Sequence, residues 1–376
     1  MASHALAQCE QAKLTASDAA REQYFGRAVS ISGDVAVIGA EGDAHAGFQS
    51  GSAYVFRRIG STWVQEQKLI ASDAFESDQF GNAVAISGNT AMITAVGADM
   101  LGYAGNTGAV YVFGWDGAHW VEQQKLLASD SLDGWQLGWS IALNGDFAAV
   151  GQVGDSFAGA SEAGAVYVFR WNGGSWVQEQ KLVPPDLGPF DHFGWSVAAT
   201  ENVIVGGTTA GAAYVFRWNG SSWVQEQKLT PGDGPPSDAF GWSVGIASNA
   251  LAVGAPAHSG AFVHSGMAYV YRFNGSTWGD EQELPPPAEV QYGGFGSSVA
   301  AGGGNLLIAP VRLGATQPGT WSVYLYRLVE GQWIHAGVLA APDAAGEFGT
   351  AVSLARTIRR RGRLGKRRCL SPGPVL

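Results

Sequence analysis

A two-residue signal, Phe-Gly or once Leu-Gly, recurs seven times: Phe25-Gly26, Phe80-Gly81, Leu137-Gly138, Phe193-Gly194, Phe240-Gly241, Phe295-Gly296 and Phe348-Gly349. A repeat of this length means one supersecondary unit that buries its apolar faces only against its neighbours. A second signal sits inside the first six repeats. Tyr54, Tyr111, Tyr167, Tyr214, Tyr269 and Tyr324 are each followed nine residues later by Trp63, Trp120, Trp176, Trp223, Trp278 or Trp333. The repeat length varies while this nine-residue interval does not, as a hairpin of set register requires, because a one-residue slip would turn every side chain to the opposite face.

Each repeat reads as four antiparallel strands, A to D. In the fifth they lie around Trp242–Ala247, Ala250–Ala255, Ala268–Phe273 and Trp278–Leu284. Small residues in A and B suit the crowded inner end of a radially placed sheet. The polar D-strand text Gln65-Glu66-Gln67-Lys68 suits an outer edge that resists pairing with other chains. Four-stranded blades set around an axis make a β-propeller. The N-terminal Lys13-Leu14-Thr15-Ala16-Ser17-Asp18 copies the end of a D strand, and Phe348 to Leu354 copies an A strand. The predicted fold is therefore all-β: a seven-bladed propeller whose seventh blade is incomplete and shared between the termini. Residues 1–10 read as a leader remnant, 11–355 as the propeller with blades starting near 25, 80, 137, 193, 240, 295 and 348, and 356–376 as a basic tail.

These repeats resemble the FG-GAP repeat family, specifically its bacterial members, related in fold to the integrin α-subunit propeller. The resemblance covers residues 11–354 and rests on the Phe/Leu-Gly starts, the B strands Val37-Ile38-Gly39-Ala40 and Val253-Gly254-Ala255, and the C strands of Gly-Ser-Ala-Tyr-Val-Phe type. It implies a non-catalytic binding or adhesion module, extracellular or on the cell surface, that takes its ligand at one face of the ring. WD40 propellers fit less well, since their period is shorter and no Trp-Asp strand ending recurs. Members with integrin-like loops bind calcium between A and B. Here the A–B turns, such as Ser32-Gly33-Asp34 and Asn144-Gly145-Asp146, are too short to wrap an ion, and no calcium is expected in them.

Charge is unevenly placed. The net charge is −10, but residues 356–376 hold eight basic groups and no acid, which leaves the remainder far more acidic. Such a body does not suit a nucleic-acid backbone. Sorting the acids by loop puts most of them on the face made by D–A and B–C connections, with only Arg21 and Arg312 as cations in those loops. That face is expected to favour a basic or cationic partner. Its candidate ligand residues are Asp73, Asp78, Asp186, Asp191, Asp233 and Asp238, three pairs spaced five apart where loosely held calcium stays open. Trp135, Phe157, Tyr103 and Phe262 stand near the loops as candidate sugar-stacking groups, so a lectin-like propeller remains an alternative.

A hydrolase or lyase is the other alternative, and its signals are few. Gly241-Trp242-Ser243-Val244-Gly245 matches a nucleophile pattern that needs a strand-to-helix turn. Gly138-Trp139-Ser140 and Gly194-Trp195-Ser196 hold the same place in their repeats, so Ser243 reads as a packing position. No catalytic residue and no resident cofactor are expected. No apolar run nears the ~20 residues of a membrane span. A monomer is expected, with the export signal lying upstream of this chain and a bridge between Cys9 and Cys369 left open. The tail after Thr357 reads in a shifted frame as Asp-Thr-Ala-Ala for one codon choice, so it is either a frameshift product or a basic arm.

Overall fold

A computed structural model of the chain describes residues 12–20, 22–99, 105–132, 134–157, 159–232, 238–260, 262–287, 293–310, 322–340 and 349–354. Six four-stranded antiparallel sheets follow one another in chain order. Blade one is β1 (Val29–Ser32), β2 (Val35–Ala40), β3 (Ser52–Ile59) and β4 (Thr62–Leu69), and blade two is β5 (Phe80–Ser87), β6 (Thr90–Ala95), β7 (Ala109–Trp115) and β8 (Trp120–Leu126). Blade three is β9 (Leu137–Asn144), β10 (Phe147–Gln152), β11 (Ala165–Trp171) and β12 (Trp176–Leu182). Blade four is β13 (Ser196–Ala199), β14 (Val203–Gly207), β15 (Ala213–Trp218) and β16 (Trp223–Leu229). Blade five is β17 (Ser243–Ala247), β18 (Ala250–Ala255), β19 (Met267–Phe273) and β20 (Trp278–Leu284), within a residue of the sequence expectation. Blade six is β21 (Phe295–Gly302), β22 (Asn305–Pro310), β23 (Ser322–Val329) and β24 (Gln332–Ala340).

The A strands are innermost. Each touches the A strand of the next blade, from β1 through β5, β9, β13 and β17 to β21. B and C strands are apolar on both faces, as strands covered on both sides must be. Each core cluster therefore draws on two neighbouring sheets. Val37 and Val55 of blade one pack with Phe80, Ile93 and Tyr111 of blade two, and Val205 and Val215 of blade four with Phe240, Val253 and Tyr269 of blade five.

The Phe-Gly signal has a specific task. Phe80, Leu137, Phe193, Phe240 and Phe295 are all 0–1% exposed. Four of them form parallel bridges to a glycine that opens the C strand of the preceding blade, for example Gly51 to Phe80. The glycine that follows lies at positive φ in all seven copies, +97° at Gly81 and +93° at Gly349, a region costly for residues with a Cβ. It sets a bulge that detaches the next residues from the B strand: Leu137 pairs with Gln152, but pairing resumes only at Ile141 with Val150.

Among the described residues the count of blades is corrected from seven, the last incomplete, to six four-stranded sheets. Residues 12–18 and 349–353 form no strand, and Leu354 makes a single bridge. The two pieces pack on different neighbours. Leu14 and Ala16 join the cluster of Ile31, Ile38 and Tyr54 in blade one, whereas Val352 and Leu354 join Leu307, Val323 and Leu325 in blade six. The physical reason is that A and D are first and fourth in a sheet. With no B and C between them, the two pieces are not held at the ~4.8 Å spacing that one ladder sets, and each packs on a different blade instead. The proposed leader, Phe348, the basic tail and both cysteines lie outside the described residues.

Candidate functional site

The polar text of the D strand joins blades. In β4 a bulge lets Val55 pair with Gln67 and Phe56 with Gln65, leaving Glu66 as the extra residue. Gln67 then reaches into blade two, its Nε2 donating to the Trp120 carbonyl at 2.8 Å and its Oε1 accepting from the Trp120 N–H at 2.8 Å. The same two-bond clasp joins Gln124 to Trp176, Gln180 to Trp223, Gln227 to Trp278 and Gln282 to Trp333. The bulged Glu66 takes the guanidinium of Arg57 at 2.5 and 2.9 Å and accepts the Trp120 indole N–H at 3.1 Å. Glu179 and Glu226 repeat this arrangement with Arg170 and Trp223, and with Arg217 and Trp278. Reading this text as edge protection misses its role, because the bonds cross between sheets that sequence order alone does not place side by side.

The loop carboxylates are likewise committed. Asp73 lies in the loop after the D strand of blade one and accepts from Tyr111 Oη at 2.8 Å and Lys125 Nζ at 2.7 Å in blade two. Burial pushes its carboxyl up, but the bonds from Lys125 and Tyr111 outweigh it and hold Asp73 below the usual range. Asp130 is held down in the same way by Lys181 and Tyr167, and Asp186 by Lys228. In blade one Asp18 takes this place with Tyr54 and Lys68. The second aspartates of the pairs serve their own turns: Asp78 accepts the Phe75 N–H at 2.7 Å and Asp191 the Gly188 N–H at 2.8 Å. Asp78 is buried, and desolvation pushes its carboxyl up. Asp238 is buried against His258 Nδ1 at 2.7 Å. Asp233 lies outside the described residues. The five-residue spacing thus combines an inter-blade latch with a turn cap.

Cations reach this face from the D strands as well as from its loops. Lys68, Lys125, Lys181 and Lys228 come from D strands, so counting loop residues alone leaves them out, yet their ammonium groups end among the loop aspartates. Lys181 also pairs with the buried Asp155 at 2.6 Å. Carboxylates left exposed include Glu162, 54% exposed with His192 Nε2 at 3.2 Å. Among the described residues no three His, Cys, Asp or Glu side chains converge as ligands for a metal.

This face also exposes apolar side chains, aromatic ones foremost. Among the described residues every exposed Phe or Tyr, namely Tyr24, Phe48, Phe75, Phe157, Phe190 and Phe262, lies in a D–A or B–C loop or in the segment leading into blade one. Phe75 is 70% exposed and Phe48 61%. Of the sugar-stacking candidates, Phe157 and Phe262 belong to this set, Trp135 is covered by Lys181 at 5.4 Å, and Tyr103 lies outside the described residues. Inside this crown, in the bulge after each Phe/Leu-Gly, blades three to five carry Trp139, Trp195 and Trp242. Their ring centroids are 4.7 and 4.8 Å apart in sequence. The same position holds Arg27 in blade one and Asn82 in blade two, both bonded to Glu41. Burial pushes the Glu41 carboxyl up, against the pull of Arg27.

Ser243 Oγ donates to the Gly296 carbonyl of the next blade at 2.7 Å, as Ser140 does to Gly194 and Ser196 to Gly241. It is a repeated inter-blade bond on a strand, not a hydroxyl raised on a turn. On the opposite face a shallow cleft of about 180 Å³ is bounded by Thr90, Gln123, Gly145, Asp146, Trp171 and Trp176. No helix among the described residues is long and apolar enough to cross a membrane.

A family model described as FG-GAP repeat matches residues 9–56, 63–113, 120–169, 176–216 and 223–271. The chain is similar to the solved structure titled "Crystal structure of the Saccharomyces cerevisiae Sqt1", with 13% identity, a TM-score of 0.47, and coverage of 85% of this chain and 86% of that one. That likeness is too slight to carry an argument. No curated protein matches.

Proposed function

Since the chain belongs to the FG-GAP repeat family, we propose that it is a non-catalytic binding propeller that takes its ligand on the face made by the D–A and B–C loops. One observation carries this reading: the exposed Phe and Tyr side chains gather on that face. Exposed aromatic surface costs solvation free energy and marks interaction sites when it is concentrated rather than scattered. The family resemblance adds a place of action, outside the cell or on its surface.

The test is a screen of the full chain against peptide and glycan arrays, repeated with Phe75→Ser and Phe190→Ser together. Both side chains are largely exposed, so thermal stability is expected to be unchanged within about 0.5 kcal/mol, while the ligands found are lost. Ligands bound equally well by the double variant, and mapped by hydrogen exchange to the A–B and C–D turns, would overturn the reading. Protease treatment of intact cells checks the location: the chain is expected to be cleaved without lysis.

A further inference from the structure

The row Trp139, Trp195, Trp242 differs from the other tryptophans of the repeat. Trp120, Trp223 and Trp278 are buried, and their indole N–H groups donate to Glu66, Glu179 and Glu226. The three in the row are only partly buried, and their indole nitrogens make no hydrogen bond among the described residues. A packed tryptophan normally places its N–H on an acceptor. One that presents apolar area and a free donor together is typical of interfaces. Three such groups stand side by side. Through His192, 6.4 Å from Trp195, the row continues to the exposed Phe190, and His192 also carries the exposed Glu162 carboxylate.

We propose that this row is the docking surface for a proline-rich segment of a partner protein, with a basic residue beside the prolines, a reading that rests on the binding face assigned above. A polyproline II helix has no internal hydrogen bonds, so its carbonyls are free to accept from a line of indole donors while its rings lie on aromatic surface. Each step of the row, 4.7 or 4.8 Å, is about half the length of one turn of that helix, three residues at ~3.1 Å each. Charge complementarity sets the flank: Glu162 is the exposed ion beside Phe190 and His192, whereas Lys181 is tied to Asp130 and Asp155. The polar half of the mouth, Arg27, Glu41 and Asn82, lies in blades one and two. It leaves the aromatic arc of blades three to five as the apolar contact.

The experiment is calorimetric titration of the full chain with an oligoproline peptide ending in arginine, the same peptide ending in glutamine, and a Gly-Ser peptide of equal length. Binding of the arginine peptide is expected, with no binding of the Gly-Ser control. Trp195→Phe keeps a ring in the row and removes the donor, so it should weaken binding roughly fivefold, the range of one hydrogen bond. Glu162→Gln, on the surface, should remove the preference for arginine over glutamine and leave oligoproline binding otherwise intact. The proposal is overturned if the prolines bind no better than Gly-Ser at about 1 mM, or if Trp195→Phe and Trp242→Phe bind as the parent does. A glycan bound in a Trp195-dependent way while oligoproline is ignored would overturn the proline assignment and leave the binding face standing. Failure of the face itself would show instead as ligands insensitive to Phe75→Ser and Phe190→Ser.

Discussion

Asp73 shows how one side chain in this ring answers to two sheets at once, since its carboxylate bridges the end of one blade to Tyr111 and Lys125 of the next. Its folded-state pKa is lowered, so its contribution to stability is present above the unfolded carboxyl range and is lost as pH falls through the folded value. Asp130 and Asp186 follow the same sign. Urea unfolding midpoints are therefore expected to fall on acidification below about pH 4, and Asp73→Asn should flatten part of that fall. An unchanged acid slope in the variant would remove the latch from the account. The glutamine clasp gives a larger effect. Gln180→Ala leaves the N–H and C=O of Trp223 without the side chain that bonds both, at a cost of about 1–3 kcal/mol. Thermal unfolding of the variant reads this as a lower Tm.

At the scale of the strand, β24 is the exception. The positions that read Glu-Gln-Lys in β4 read Ala336-Gly337-Val338 in β24, as the pairing of Tyr54 with Lys68 and of Tyr324 with Val338 shows. It has neither the clasp glutamine nor the latch lysine, and Val338 is 45% exposed. Amide hydrogen exchange is expected to be faster in Gln332–Ala340 than in Trp120–Leu126 or Trp176–Leu182, whose glutamines clasp the following blade. Equal protection would show that the clasps do not hold D strands in place. This strand also marks how far the sequence could be read. Strand boundaries and hairpin register follow from spacing, because period and turn chemistry are local, whereas the Phe-Gly pair was legible as a repeat start but not as a bulge. The pairing of Gln67 with Trp120 was not legible, since it crosses between blades, although the recurrence of glutamine at one fixed distance from Trp was the available signal. Asp73 and Asp78 were legible as a repeated pair but not as latch and cap, because the latch partners Tyr111 and Lys125 come from strands of the next blade. The seven-blade count failed because it matched end pieces to strand text without the B and C strands that would pair them.

For the molecule as a whole, the glutamine clasps run in one direction, each of blades one to five reaching forward to the tryptophan of the next. Family repeat units such as 63–113 and 120–169 begin at a D-strand Trp and end in the following C strand, so each unit straddles two blades. This offset changes what a gene duplication delivers. A copied unit arrives with a tryptophan ready for the glutamine behind it and a glutamine ready for the tryptophan ahead, and slots into a growing circle without inventing a new joint. Ring size is then left to the inner strands, which meet around the axis and decide how many copies fit.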